Sequence, residues 1–195
     1  MKIKVLLIAG ILLIAASVLV YTHPWQLKSG EDSAWNLTLV GANGEQNILT
    51  RDEITAMPAY TGHGGFFTTV GVVNGPYTAK GIPLTDLCEL VSGVTPSDIV
   101  TIYAKDGYST VLDYDHIMGN FITYSPQNLK EVPHGELKPI LMYEQDGKPL
   151  SQENGKPLRI AVVGTDGLLV EGHYWTKWVN KIEVVAVNQS NGGKG

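Results

Sequence analysis

The chain has 195 residues, of which 44% are hydrophobic and 17% charged, and a formal net charge of -5. These values fit one folded domain with a sizeable core. They exclude an intrinsically disordered chain, and the acidic balance lacks the basic footprint that nucleic-acid binding requires. An anionic ligand would therefore be held by a few local cations, because the global field opposes it.

The N-terminus carries Lys2 and Lys4, then an unbroken apolar run from Val5 to Val20, then Tyr21, His23, Pro24 and Trp25. A basic flank before an apolar run is the order of an export signal, and the positive flank stays cytoplasmic. Residues 1–22 are read as a signal or membrane anchor and 23–33 as a polar linker. The domain, 34–187, is then expected on the extracytoplasmic side of the cell membrane, or secreted if the leader is cleaved. No cysteine lies near the leader to accept a lipid. The single cysteine, Cys88, rules out an internal disulfide.

Trp35 to Val40 alternates as a first strand, and Gly41 to Gly44 is a turn. Thr50-Arg51-Asp52-Glu53 has the form of a capping box and opens a short helix that stops at Pro58. The Gly-rich stretch from Tyr60 to Gly81 reads as a loop, a strand and another loop. Pro83 and Gly93 bracket a helix in which Leu84, Leu87, Cys88 and Val91 form one apolar stripe. Cys88 is accordingly expected in the core.

Asp98 to Tyr103 and Ser109 to Leu112 read as a hairpin around Lys105-Asp106-Gly107-Tyr108. A short helix over Tyr114 to Asn120 follows, then an irregular loop from Pro126 to Gly135. Leu137 to Tyr143, Leu158 to Val163 and Trp178 to Val187 complete the strands, and residues 188–195 form a polar tail expected to be disordered. The fold class expected is α+β, mostly antiparallel, with short inserted helices.

The five histidines show no metal-ligand spacing, and no serine-hydrolase elbow is present. No catalytic residue can be named and no metal ligands are assigned. His63-Gly64-Gly65 could present backbone N–H groups to an anion, or could be a plain surface loop. The richest segment is Asn154-Gly155-Lys156-Pro157-Leu158-Arg159, followed by His173 and Lys177-Trp178. Arg159 opens an apolar strand, and the turn-rich connection Gly164 to Gly172 could bring Lys177 beside it. Together they could bind a phosphate or carboxylate. Equally, Arg159 could pair a buried carboxylate while Lys177 lies on the surface.

The ordered pieces resemble the molybdopterin-binding domain of the sulfite-oxidase-like oxidoreductases. They are Leu49-Thr50-Arg51-Asp52-Glu53-Ile54 with Met57-Pro58, Gly81-Ile82-Pro83-Leu84-Thr85-Asp86-Leu87, and Ala104-Lys105-Asp106-Gly107-Tyr108. Ile140-Leu141-Met142-Tyr143, Gly147-Lys148-Pro149-Leu150, Glu153 to Arg159 and Lys177-Trp178-Val179 with Ile182 follow. The resemblance spans about Thr50 to Val185 and implies that fold. It implies a molybdopterin cofactor contacted by Arg159 and Lys177, with Asn154, His173 and Trp178 beside them. The family's molybdenum-ligating cysteine would fall near Thr69-Val70-Gly71-Val72, where no cysteine stands. The reading is therefore a degenerate pterin- or anion-binding module, or a component of a redox complex with a partner protein. The alternatives are an oxo-transfer enzyme with a non-cysteine metal shell, and a structural or interaction domain without cofactor.

Overall fold

A computed structural model describes residues 35–187, and the leader, linker and tail readings fall outside them. Among the described residues no helix is long and apolar enough to cross a membrane.

The chain begins with the hairpin β1 (Leu37–Val40) and β2 (Gln46–Leu49), followed by α1 (Arg51–Ala56). The capping box is complete: the Thr50 N–H donates to Glu53 Oε2 at 2.7 Å, and the Glu53 N–H to Thr50 Oγ1 at 3.5 Å. It satisfies backbone donors that a helix start otherwise leaves open. Thr50→Ala is expected to lower stability by about 1 kcal/mol in urea denaturation. An unchanged midpoint would show that water caps this helix equally well.

The stretch from Tyr60 to Gly81 departs from its sequence reading. It forms a long antiparallel hairpin, β3 (Tyr60–Phe67) and β4 (Val73–Pro83), with a bulge between Gly64 and Phe66. Glycine depresses strand propensity, so a local reading gives loops. Here glycine is required because another backbone lies against β3: a Cβ on Gly64 would stand 2.2 Å from the Val162 carbonyl oxygen.

The helix α2 (Leu84–Glu89) starts directly from β4, and its stripe Leu84, Leu87, Cys88 and Val91 is buried as expected. Next come β5 (Asp98–Ala104), β6 (Ser109–Asp113), α3 (Tyr114–Ile117), β7 (Thr123–Tyr124) and β8 (Glu131–Val132). The last of these lies inside the segment read as an irregular loop, since a two-residue strand leaves no periodic signal. Then follow β9 (Lys138–Gln145), β10 (Lys148–Pro149), β11 (Arg159–Val163) and β12 (Leu169–Glu171). A 3₁₀ turn (Gly172–Tyr174) and β13 (Val179–Ala186) close the domain.

One sheet has the order β2-β1-β13-β5-β6, and the other runs β10-β9-β4-β3-β12-β7-β8 with β11 paired to β9. Only β1 with β13 and β3 with β12 run parallel among these pairs. The architecture is thus α+β and mostly antiparallel, as the pattern implied. One apolar cluster draws on both sheets, with Leu37, Ile102 and Ile182 from the first and Ile82, Leu141 and Ile160 from the second.

Candidate functional site

β11 is buried along its whole length, and its first residue is an arginine. Arg159 is only 2% exposed. Its guanidinium lies 4.9 Å from the Phe66 ring centroid and 5.1 Å from that of Trp175. No carboxylate bridges it among the described residues. Its Nη1 has only a long contact with the Asn154 carbonyl at 3.5 Å, and its Nε is buried with no partner. The structural alternative for Arg159, a buried carboxylate partner, therefore does not hold. Burial pushes its pKa down to about 10, the Tyr77 phenol acting the other way. A buried cation in this state is costly unless an anion joins it.

Trp175 shows the same imbalance, since it is 3% exposed and its Nε1 donor is also buried without an acceptor. Both residues line a cavity of about 370 Å³, together with Phe66, Asp106, Lys177 and Trp178. That volume lies within the usual range for small-molecule sites. Phe66 comes from β3, Asp106 from the β5–β6 turn, and the others from β11 and the segment before β13.

A clasp holds the Lys177 end of the pocket. Lys177 Nζ donates to the Glu153 carbonyl at 2.6 Å, and Trp178 Nε1 to the Gln152 carbonyl at 3.1 Å. Trp178 takes a left-handed φ of 54°, and its own carbonyl accepts from the Lys105 N–H at 3.0 Å. Gly155 lies so close that a Cβ there would come within 2.9 Å of Lys177 Cβ. Burial, and then the Arg159 charge, lowers the pKa of Lys177. Two cations thus face one cavity on a net-acidic protein.

The structure brings Arg159, Lys177 and Trp178 together at this cavity. Asn154 contributes its backbone carbonyl to Arg159, and its side chain is not part of the lining. The His173 ring lies outside it, with Nδ1 3.2 Å from Glu171 Oε2. His63 is also elsewhere: its Nδ1 is 3.3 Å from Thr78 Oγ1. The nest reading of His63-Gly64-Gly65 fails. The His63 N–H donates to the Gly164 carbonyl at 2.7 Å and that of Gly65 to Leu168 at 3.2 Å, leaving neither for an anion.

Sequence reasoning passed over Phe66, Asp106 and Trp175. Trp175 had a signal, since an indole two residues before a candidate cation offers stacking and one donor. Phe66 comes from a distant hairpin and gave none, while Asp106 stood in the Ala104 to Tyr108 piece of the resemblance without a role being drawn from it.

The turn from Thr68 to Val72 closes β3 onto β4, with the Thr68 N–H donating to the Val72 carbonyl at 3.0 Å. Its side chains offer hydroxyls and apolar groups. Cys88 is buried in α2, away from the pocket lining, and burial, then Glu89, pushes its pKa to about 12. Among the described residues no group of three or more His, Cys, Asp or Glu could hold a metal ion.

The fold is similar to that of the sulfane dehydrogenase SoxCD from Paracoccus pantotrophus. The TM-score is 0.61 at 15% identity, covering 84% of this chain and 41% of that one. This chain therefore spans about two fifths of its structural relative. The uncharacterized oxidoreductase YuiH of Bacillus subtilis (strain 168) is 22% identical over 156 residues, covering 79% of this chain and 67% of the relative. The pattern of the oxidoreductase molybdopterin binding domain matches residues 24–192, most of the chain, and the protein belongs to that family.

Proposed function

We propose that the cavity between Arg159, Trp175 and Lys177 holds an anionic pterin cofactor of the molybdopterin class, and that the domain is a binding module within a redox complex. The observation that carries this is the pair of buried donors, Arg159 Nε and Trp175 Nε1, left without acceptors at one cavity. Buried donors are nearly always satisfied, so two orphans together fit a ligand that supplies acceptors.

Arg159 would supply a desolvated charge, strongest where water is excluded by Phe66 and Trp175. Lys177 would add a second positive charge at the rim, and Trp175 a neutral donor. Asp106, on the same wall, would accept from ligand N–H groups. Such a cofactor, when loaded with molybdenum, supplies two-electron oxo transfer. Among the described residues no thiolate is available at the pocket to fix that metal, which favours the module over a self-sufficient enzyme. The apolar run Val5 to Val20 supports a membrane tether with the domain outside the cytoplasm, where a partner redox protein would meet it.

The test is to purify the full chain from its native membrane and measure oxidised-pterin fluorescence together with molybdenum and tungsten content. Near-stoichiometric pterin with little metal is the expected result. Pterin with equimolar metal would replace the module by an oxidoreductase whose metal dispenses with cysteine. Absence of both would overturn the proposal.

A further inference from the structure

A second cavity, of about 330 Å³, lies across the 3₁₀ turn from the first: Gly172 borders the anion pocket, while Glu171 and Tyr174 border this one. Its other walls include His116, Phe121, Ile122 and His134. Phe121 and Tyr174 meet edge to face, with centroids 5.1 Å apart and planes at 81°. The His116 ring is 5.0 Å from Phe121 and 5.1 Å from Tyr174.

Tyr174 and His116 spend their hydrogen bonds inside the wall. The Tyr174 hydroxyl is 3.0 Å from His116 Nε2, and His116 Nδ1 is 2.7 Å from Asp113 Oδ1. These contacts fix the rings and leave neither imidazole nitrogen for a ligand. The wall presents ring surface, the exposed apolar side chain of Ile122 and the half-exposed Glu171 carboxylate, with the polar side chains of Asn120 and His134 beside them. One oxygen of Glu171 faces His173 at 3.2 Å.

Among the described residues no lysine or arginine lines the cavity, in contrast to its neighbour. The Tyr174 hydroxyl on this wall responds to burial and to two nearby carboxylates. Its pKa is raised by burial first, and then by the Glu171 and Asp113 carboxylates. Burial disfavours any charge, whereas the two carboxylates disfavour a phenolate and favour a cation.

We propose that this cavity binds a small organic ammonium ion, with its alkyl groups on Phe121, Tyr174 and Ile122 and its charge towards Glu171. Aromatic faces joined to a carboxylate select such ions over neutral molecules of equal shape, because the ring quadrupole and the carboxylate both act on the charge. The assignment does not depend on what fills the Arg159 pocket.

Ligand-observed saturation-transfer NMR on the full chain tests it, with choline as probe and its uncharged carbon isostere, neohexanol, as control. Choline should give saturable transfer in the millimolar range, with neohexanol at least about tenfold weaker. Glu171→Gln should weaken choline about three- to tenfold without shifting the melting temperature, since its carboxylate is solvent-accessible. Phe121→Leu should weaken it further, while Arg159→Met leaves it unchanged. Equal binding of neohexanol, full retention by Glu171→Gln, or no saturable transfer from choline would each overturn the proposal.

Discussion

Arg159→Met is expected to stabilise the ligand-free domain while abolishing its hold on an anion. Arg159 is 2% exposed, unbridged by any carboxylate among the described residues, and carries an unsatisfied Nε. Its folded-state pKa of about 10 lies well below the usual guanidinium range, so folding disfavours the cation. The cost is full below about pH 10, where both states are protonated, and fades as the folded Arg159 loses its proton above that. Stability should therefore rise above about pH 10 and be insensitive to this group near neutrality. Methionine keeps an unbranched side chain against Phe66 and Trp175, with a sulfur that packs well on rings. It forfeits two cation–π contacts but removes the desolvated charge. The net gain expected is about 1–2 kcal/mol in urea denaturation of ligand-free protein. Pterin retention should fall by about 100-fold, because charge-assisted bonds to a buried anion are among the strongest available. A residue kept only for the fold would behave oppositely, with lower stability and unchanged binding. That outcome would remove Arg159 from the site.

What could be read locally was read correctly, and the reasons are physical. Thr50 and Glu53 form a capping box three residues apart, and Leu84, Leu87, Cys88 and Val91 bury one helical stripe; both patterns are complete within two turns of chain. The α+β class followed from several such segments. Arg159 stood out because a charge inside an apolar strand demands an explanation, and Lys177 and Trp178 because they preface another strand. The failures all needed a distant neighbour. β12 is three residues long and exists because Leu169 and Val170 pair with Gly65 and Phe66, a hundred positions earlier. Phe66 and Asp106 reach the pocket through hairpins whose relation no periodicity records. His63 looked like part of a ligand loop because its glycines suggested a nest, while the backbone that claims those N–H groups belongs to Gly164 and Leu168.

The same glycines give the second large effect: Gly64→Ala should cost at least about 3 kcal/mol and is expected to leave little folded protein. Its backbone is in ordinary extended conformation, so torsional strain is not the cause. A Cβ would stand 2.2 Å from the Val162 carbonyl oxygen and 3.3 Å from Val163 Cα. These are backbone atoms of the buried strand β11, which cannot yield without parting from β9. Gly147→Ala is the matched control. It sits at a φ of +74° in open space, so it meets strain without collision and should cost about 1 kcal/mol. Urea midpoints of the two variants separate close approach from conformational freedom as the reason for glycine. The first also bears on the site, because Phe66 lies two residues beyond Gly64 and stacks on Arg159 from the same strand. If Gly64→Ala folds with less than about 1 kcal/mol lost, β3 can lift from β11. The wall that Phe66 forms would then be adjustable, and the anion pocket would not be preformed.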